Sequence, residues 1–225
     1  TSIIGPLMIF SDRFLIGAVL GAVAVAAYTI PFQIANRTLM IPYAVMHVMF
    51  PRFAAETDEN AHASARQYMV YLGTVYAVVV IIVVALAEPL LRLWLGAELD
   101  ERSIIVAQII MMGLWANALA QVPFGFLQAR GNPRFTGLLH VFELPFYVAL
   151  LIAFGNALGL TGIALAFAFR CLGDFAVLAY RAHLLDARTL FKLLPPSCLI
   201  LAAFAGVQLW DDPAAPYVVA SVLGC

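Results

Sequence analysis

The chain alternates between long apolar stretches and short polar connections. Windows of low charge predict membrane-spanning helices at about 3–20, 24–50, 67–87, 103–127, 135–155, 159–182 and 193–210, with the start of an eighth from about 214. The longest polar connection runs only from Pro51 to Arg66. The pattern therefore predicts an all-α, polytopic transmembrane helix bundle whose connections are too short to house a soluble catalytic domain.

Composition agrees with this prediction. Of the 225 residues, 64% are hydrophobic and 11% are charged, whereas a soluble domain is about 45–50% apolar and about 25% charged. The net charge is −1 and Lys192 is the only lysine, so no basic block indicates a nucleic-acid partner. Cys171, Cys198 and Cys225 lie in apolar stretches without C-x-x-C spacing, which favours buried thiols over metal ligands.

The basic residues of the connections fall mainly on one side. Seven follow the second, fourth and sixth spans, namely Arg52, Arg66, Arg130, Arg134, Arg181, Arg188 and Lys192. Two, Arg92 and Arg102, follow the third span. By the positive-inside rule, the connections at about 51–66, 128–134 and 181–192 are predicted to be cytoplasmic.

The two ends of the chain predict a fragment of a longer polytopic protein. The chain starts at Thr1 without a methionine or a basic region that would indicate a signal peptide. It stops at Cys225, inside an apolar run from Ala214 that is too short to cross a bilayer.

Proline and glycine mark expected irregularities in the spans. Pro31 and Pro42 are predicted to interrupt the second span, and Pro195 and Pro196 the seventh, because proline removes a backbone hydrogen bond. Pro123 and Pro145 are likewise predicted to interrupt the fourth and fifth spans. Small residues at Gly155, Gly159 and Gly162 allow two helices to approach closely, and the segment Gly159–Gly162 is interpreted as a tight inter-helix turn.

Six charged residues lie within the predicted spans: Asp12, Arg13, Arg37, Glu143, Arg170 and Asp174. Each such charge costs roughly 2.5–3.5 kcal/mol at a helix centre on insertion scales, so these side chains are expected to face the bundle interior or an aqueous cavity. The spacing of Arg170 and Asp174 allows them to pair within one helix. The alternative is that this pair lines a cavity and opens for a charged ligand. Asp12 and Arg13 are adjacent and cannot pair face to face, so at least one should reach another helix.

Two further groups of polar residues share a helix face. Gln33, Asn36 and Arg37 form one stripe, and Arg37 either meets an anionic substrate or pairs with an acid such as Glu143 or Asp12. His140 and Glu143 lie three residues apart, a combination that could relay protons or bind a cation, or simply form a satisfied buried contact. His47 is interpreted as interfacial, without chemistry.

No enzymatic motif is present in the sequence. G-x-S-x-G, H-E-x-x-H, a glycine-rich phosphate loop and a D-x-x-D cluster are all missing. We therefore expect a protein that is not an enzyme, with no catalytic residues, no cofactor and no metal.

Several motifs resemble one family. Ser11–Gly17 (SDRFLIG), Ala27-Tyr28 and Phe50–Phe53 (FPRF) are similar to the seventh and eighth helices of bacterial polysaccharide (O-antigen type) flippases. The stretches Leu127–Pro133, His140–Pro145 and Gly159–Arg170 are similar to their tenth to twelfth helices. These flippases belong to the multidrug/oligosaccharidyl-lipid/polysaccharide exporter superfamily, and the resemblance covers about residues 3–185.

The resemblance implies the second six-helix lobe of a two-lobe exporter over residues 1–185. Residues 186–225 would add one further helix and the truncated start of another. It further implies a flippase that moves an undecaprenyl-pyrophosphate-linked oligosaccharide across the bacterial inner membrane by alternating access, for surface polysaccharide synthesis. The implied partners are this lipid-linked glycan, the lipid bilayer, and a polysaccharide polymerase or glycosyltransferases.

By the same resemblance, Arg13, Arg37 and Arg170 are the candidates for attracting the pyrophosphate, with Gln33 and Asn36 beside them. Asp12, His140, Glu143 and Asp174 are candidates for ion pairing or ion coupling. The alternatives are a lipid II flippase or a multidrug exporter of the same superfamily. An integral-membrane glycosyltransferase or polymerase, or a membrane scaffold, is the alternative from another class.

Overall fold

The structure is a computed structural model that describes residues 12–18 and 20–211. Residues 12–18 are helical, and the elements after them are α1 (Ala22–Arg37), α2 (Met40–Ala55), α3 (Asp58–Leu95), a 3-10 turn (Gly96–Glu98), α4 (Arg102–Ala129), α5 (Pro133–Arg181) and α6 (Ala187–Asp211). Part of the predicted first span and the start of the eighth lie outside the described residues. Among the described residues, four segments are long and apolar enough to cross a membrane, namely Asp58–Glu98, Arg102–Ala129, Pro133–Arg181 and Ala187–Leu209. The predicted all-α membrane bundle is confirmed.

The longest helix, α5, is a hairpin of two spans. Gly159 has a non-helical backbone (φ 60°, ψ −134°). A Cβ built on Gly155 would lie 3.4 Å from Ile163 Cγ1, although eight residues of straight helix span about 12 Å. The rings of Phe154 and Phe169 are 5.7 Å apart, edge to face. The two arms, 133–158 and 160–181, therefore run back along each other, as predicted from the glycines.

The predicted second span is two helices rather than one. A turn at Thr38 and Leu39 separates α1 from α2. Proline at position 42 explains its place, because the proline ring clashes with the carbonyl four residues earlier, which is that of Thr38. The Thr38 hydroxyl lies 2.5 Å from the Tyr76 hydroxyl of α3, which anchors the break to a neighbouring helix.

The predicted bounds of the third and seventh spans are too short. Helix α3 extends beyond 67–87 at both ends, and α6 begins six residues before 193. Hydropathy marks the part of a helix that lies in lipid, whereas the helix itself continues through polar residues. Several prolines lie inside helices without ending them, contrary to the predicted interruptions: Pro31 in α1, Pro123 in α4, Pro145 in α5, and Pro195 and Pro196 in α6.

Helix α4 forms the centre of the bundle and packs against α1, α2, α3 and α5. Trp115 Nε1 donates a 2.9 Å hydrogen bond to the Gly73 carbonyl of α3. The buried Gln108 amide donates to the Val84 carbonyl of α3 and accepts a 2.7 Å hydrogen bond from Gln208 of α6. These polar contacts between helices satisfy groups that could not face lipid.

Three connections meet at one end of the bundle: 56–57, 130–132 and 182–186. Arg130 pairs with Asp58 and donates hydrogen bonds to the carbonyls of Phe53 and Glu56. Arg66 donates to the His183 carbonyl at 2.9 Å and lies 3.5 Å from the Asp186 carboxylate. These are the connections that the sequence predicts to share one side of the membrane.

Asp186 caps the start of α6. The Thr189 backbone N–H donates a 2.6 Å hydrogen bond to Asp186 Oδ1, the geometry of an N-cap. Hydrogen bonding from Thr189 holds the pKa of the Asp186 carboxyl below its ordinary value, because those bonds favour the charged form.

Candidate functional site

Arg170 lies between the two arms of α5. Its Nη1 is 3.5 Å from Glu143 Oε1 on the opposite arm, and the side chains are 14% and 8% exposed, respectively. The guanidinium carbon lies 5.0 Å from the ring centre of Tyr147 and 5.4 Å from that of Phe167. Within the described chain, the ion pair of Arg170 is therefore made across the hairpin with Glu143, rather than along its own arm with Asp174 as the spacing suggested.

Asp12 contacts another helix, as expected because Asp12 and Arg13 are adjacent and cannot pair face to face. The Asp12 carboxylate is buried, with the residue 3% exposed, and accepts a 3.1 Å hydrogen bond from the Tyr28 hydroxyl of α1. The guanidinium carbon of Arg13 lies 5.8 Å from the ring centre of Phe32, also on α1. Both charged side chains of this motif thus turn towards α1.

His140, Glu143 and Asp174 form one cluster. Their ligand atoms all lie within 4.8 Å of one another, so the three residues could together hold a cation. His140 Nδ1 lies 2.7 Å from the Thr136 carbonyl oxygen. The sequence placed His140 and Glu143 on one face, and the hairpin adds Asp174 from the other arm.

Several buried polar atoms around this cluster have no hydrogen-bond partner within the described residues. They are Asp12 Oδ1, Glu143 Oε2, Tyr147 OH, Arg170 Nε and Asp174 Oδ1. Leaving a buried polar group unsatisfied is costly, so such groups tend to mark places where partners change. Sequence reasoning missed Tyr28 and Tyr147, because a neutral tyrosine in an apolar helix gives no signal of its own.

The predicted stripe on α1 is exposed. Gln33, Asn36 and Arg37 all face outward from the described bundle. Arg37 forms no ion pair within the described residues, since Glu143 pairs with Arg170 and Asp12 accepts from Tyr28. The alternative in which Arg37 neutralises one of these two acids is thus not the arrangement in the structure.

Helix α4 carries a second polar stripe that the sequence analysis missed. Asn117, Gln121, Phe124 and Gln128 follow one another at helical spacing and are partly exposed, although most of α4 is buried. The Gln121 amide donates a 3.4 Å hydrogen bond to the Asn117 side chain. These residues carry no charge, and no arginine marks the stripe as Arg37 marks the one on α1.

Helix α3 shows a different exposed face. Its outward side chains are large and apolar, and they include Tyr71, Val75, Val78, Ile82, Leu86 and Leu90. An apolar face suits lipid, whereas an exposed polar face at membrane depth suits water or protein. The bundle therefore has a lipid-like face on α3 and polar stripes on α1 and α4.

Comparison with known proteins agrees with this architecture. The chain is 29% identical over 181 residues to a Shigella flexneri protein named "Putative O-antigen transporter". That match covers 80% of this chain and 43% of the relative, so the chain spans less than half the length of the relative it matches. No solved structure matches the chain significantly.

A family model shows which family the chain belongs to. The model of the MatE family matches residues 1–153, which is more than half of the sequence. The matched residues include the helical segment 12–18, helices α1 to α4 and most of the first arm of α5. This multi-pass membrane helix bundle belongs to the MatE family.

Proposed function

We propose that the full-length protein is a flippase for a lipid-linked oligosaccharide on an undecaprenyl pyrophosphate carrier. It would move this substrate across the bacterial inner membrane by alternating access, in surface polysaccharide synthesis. Membership of the MatE family and the name of the Shigella flexneri relative support a transporter rather than an enzyme. The expected partners are the glycan substrate, the bilayer, and a polymerase or glycosyltransferases.

The observation that carries the proposal is the polar side of the bundle. Gln33, Asn36 and Arg37 of α1 are exposed where a lipid-facing helix would be apolar, and Asn117 and Gln121 form a second, partly exposed polar stripe on α4. A strongly hydrated sugar head cannot cross hydrocarbon unaided, and a polar surface at membrane depth lowers that barrier. The first lobe of the full-length protein would face this side and close the cavity.

Arg37 is the strongest candidate for the pyrophosphate. Its side chain is exposed on the polar side, and a guanidinium can form two parallel hydrogen bonds to phosphate oxygens. Arg170 is enclosed and pairs with Glu143. Arg170 would therefore reach the substrate only after a rearrangement. Arg13, which is half-buried and contacts Phe32, remains a further candidate.

The cluster of His140, Glu143 and Asp174 is proposed to couple transport to an ion gradient. The cluster joins the two arms of one hairpin, so a change in its charge would alter how the arms pack. Glu143 links it directly to Arg170. Asp12, in the helical segment 12–18, is the remaining candidate for ion coupling, and its carboxylate accepts a hydrogen bond from Tyr28.

The test is export of surface glycan by the full-length protein in a strain that lacks its own copy. Arg37→Ala should reduce export about ten-fold or more, since a hydrogen bond to a charged group contributes about 1.5–3 kcal/mol. Arg37→Lys should retain part of the activity, because lysine keeps the charge but not the two-pronged geometry.

Arg134→Ala, at an exposed position in the first turn of α5, is the matched control and should export normally. Normal export by Arg37→Ala would show that this arginine does not grip the substrate. Rescue of cell-wall synthesis rather than of glycan export would replace the proposed substrate with lipid II.

A further inference from the structure

A groove between α2 and α4 is not used by the charged groups considered above. It has a volume of about 510 Å³, within the range of about 300–1,000 Å³ that is typical of ligand sites. Its polar and aromatic lining residues are Tyr43, His47, Phe50, Gln121, Phe124 and Gln128. The α4 side of the groove is part of the polar stripe described above.

The chemistry of the groove selects for an uncharged, hydroxyl-rich ligand. Among the described residues that line it there is no Asp, Glu, Lys or Arg. The carboxamides of Gln121 and Gln128 each offer both a donor and an acceptor, which suits hydroxyl groups that also do both. A pyrophosphate or a cationic drug would find no opposite charge there.

Aromatic side chains complete the fit to a sugar ring. Tyr43 and Phe50 are 46% and 40% exposed, which leaves ring surface open to the groove, and Phe124 is partly exposed opposite them. The face of an aromatic ring carries partial negative charge, and the C–H bonds on one face of a sugar ring carry partial positive charge. The aromatic rings therefore suit the C–H face of a sugar, and the amides suit its hydroxyl groups.

The groove lies near Arg37 along the chain. Arg37 is the last residue of α1, and Tyr43 lies in the first turn of α2, beyond the break at Thr38 and Leu39. Both side chains are exposed. Since six residues span at most about 22 Å even when fully extended, both residues are within reach of one lipid-linked oligosaccharide.

We propose that this groove is the glycan subsite of the substrate path, in which Gln121 and Gln128 hydrogen-bond to sugar hydroxyls and the aromatic residues pack against the sugar rings. The inference rests on the proposed function and deepens it. It assigns the pyrophosphate to Arg37 and the sugars to α2 and α4, so recognition of the glycan is separated from recognition of the carrier.

Binding of two carriers to the purified full-length protein in lipid nanodiscs tests the proposal. The probes are undecaprenyl pyrophosphate alone and the same carrier bearing one N-acetylglucosamine. The unaltered protein should bind the sugar-bearing carrier more tightly. The double variant Gln121→Leu/Gln128→Leu should bind that carrier about ten-fold more weakly, the size expected for two lost hydrogen bonds, and should bind the bare carrier as before.

Two control variants separate this proposal from the proposed function. Asn156→Leu makes the same kind of polar-to-apolar change at an exposed position outside the groove and should leave both affinities unchanged. Arg37→Ala should weaken the binding of both carriers by the same factor. If Arg37→Ala has no effect while the double variant loses the sugar preference, the assignment of the pyrophosphate fails and the glycan subsite stands.

The proposal of a glycan subsite is overturned if the double variant weakens the binding of both carriers equally, or of neither. It is also overturned if the unaltered protein does not bind the sugar-bearing carrier more tightly than the bare carrier. Retained binding of the bare carrier shows that a variant is folded. Should the double variant not fold, Gln128→Asn, which only shortens the amide side chain, must still reduce the sugar preference for the proposal to survive.

Discussion

Arg37 and Arg170 show how the surroundings of a residue decide its role. Arg170 is enclosed by the rings of Tyr147 and Phe167 and pairs with Glu143, so its charge is already compensated. Arg37 is exposed on the polar side of the bundle. The same residue type thus stabilises a helix pair at one position and is available to a ligand at the other.

Among the described residues, His183 is the non-glycine residue with a positive φ. It has a φ of 54° just after α5, where its N–H donates to the Tyr180 carbonyl and the next N–H, of Leu184, donates to Ala179. This is a helix C-terminus that favours glycine. A left-handed conformation costs an ordinary residue about 1–2 kcal/mol.

His183→Gly is therefore expected to stabilise the protein by roughly 1 kcal/mol, because glycine adopts this conformation without strain. The hydrogen bond from Arg66 is kept, since it goes to the backbone carbonyl. Ala182→Gly is the matched control: position 182 has a φ of −80°, so glycine there should destabilise. Thermal unfolding of the full-length protein measures both variants, and a lower midpoint for His183→Gly would contradict the argument.

At the scale of elements, the hairpin in α5 is what assembles the candidate coupling site. Gly162 makes this hairpin tight, since a Cβ at that position would overlap the Phe154 carbonyl oxygen on the opposite arm. The close approach brings Arg170 to Glu143 and Asp174 to His140. The site is therefore sensitive to any change that separates the arms.

Gly162→Ala is expected to destabilise the protein by about 1–3 kcal/mol, the usual cost of overpacking. Gly173→Ala lies on the same arm with no atom within 4 Å of the added Cβ, so it should be neutral or stabilise by up to about 1 kcal/mol through helix propensity. Thermal unfolding of the two variants provides the comparison. An equal loss in both would show that the contact with Phe154 is not what matters.

The sequence predicts the helices of this protein better than their irregularities. Gly159 and Gly162 identified the hairpin, because a backbone turn and a close approach both require glycine. The break at Thr38 was placed less well, since Pro42 indicates a disturbance but its effect falls four residues earlier. Tyr28, Tyr147 and the amides of α4 were missed, because uncharged groups become informative only when their exposure or their partner is known.

At the scale of the whole molecule, the bundle has two ends and two sides. Arg66 and Arg130 join the three connections at one end, which the sequence predicts to be cytoplasmic. The apolar face of α3 and the polar faces of α1 and α4 distinguish the sides. The common end of the three connections could be predicted from their charges, whereas the polar stripe on α4 needed the three-dimensional arrangement.

The polar side gives a prediction about access of water within the membrane. Gln121 of α4 and Val78 of α3 both lie well inside long spans and are at least partly exposed, but on different sides. A thiol reacts as a thiolate, which requires water. In a full-length background without native cysteines, Gln121→Cys should react with a membrane-impermeant thiol reagent, and Val78→Cys should not.

Glu98→Cys, in the exposed 3-10 turn after α3, serves as the positive control. Addition of the sugar-bearing carrier should slow the reaction at position 121, because the ligand would cover that side chain, and should leave position 98 unchanged. Equal reactivity at positions 121 and 78 would mean that the two sides meet the same environment. In that case the exposed amides of α4 would not face an aqueous path, and the cavity between two lobes would have to be sought elsewhere on the bundle.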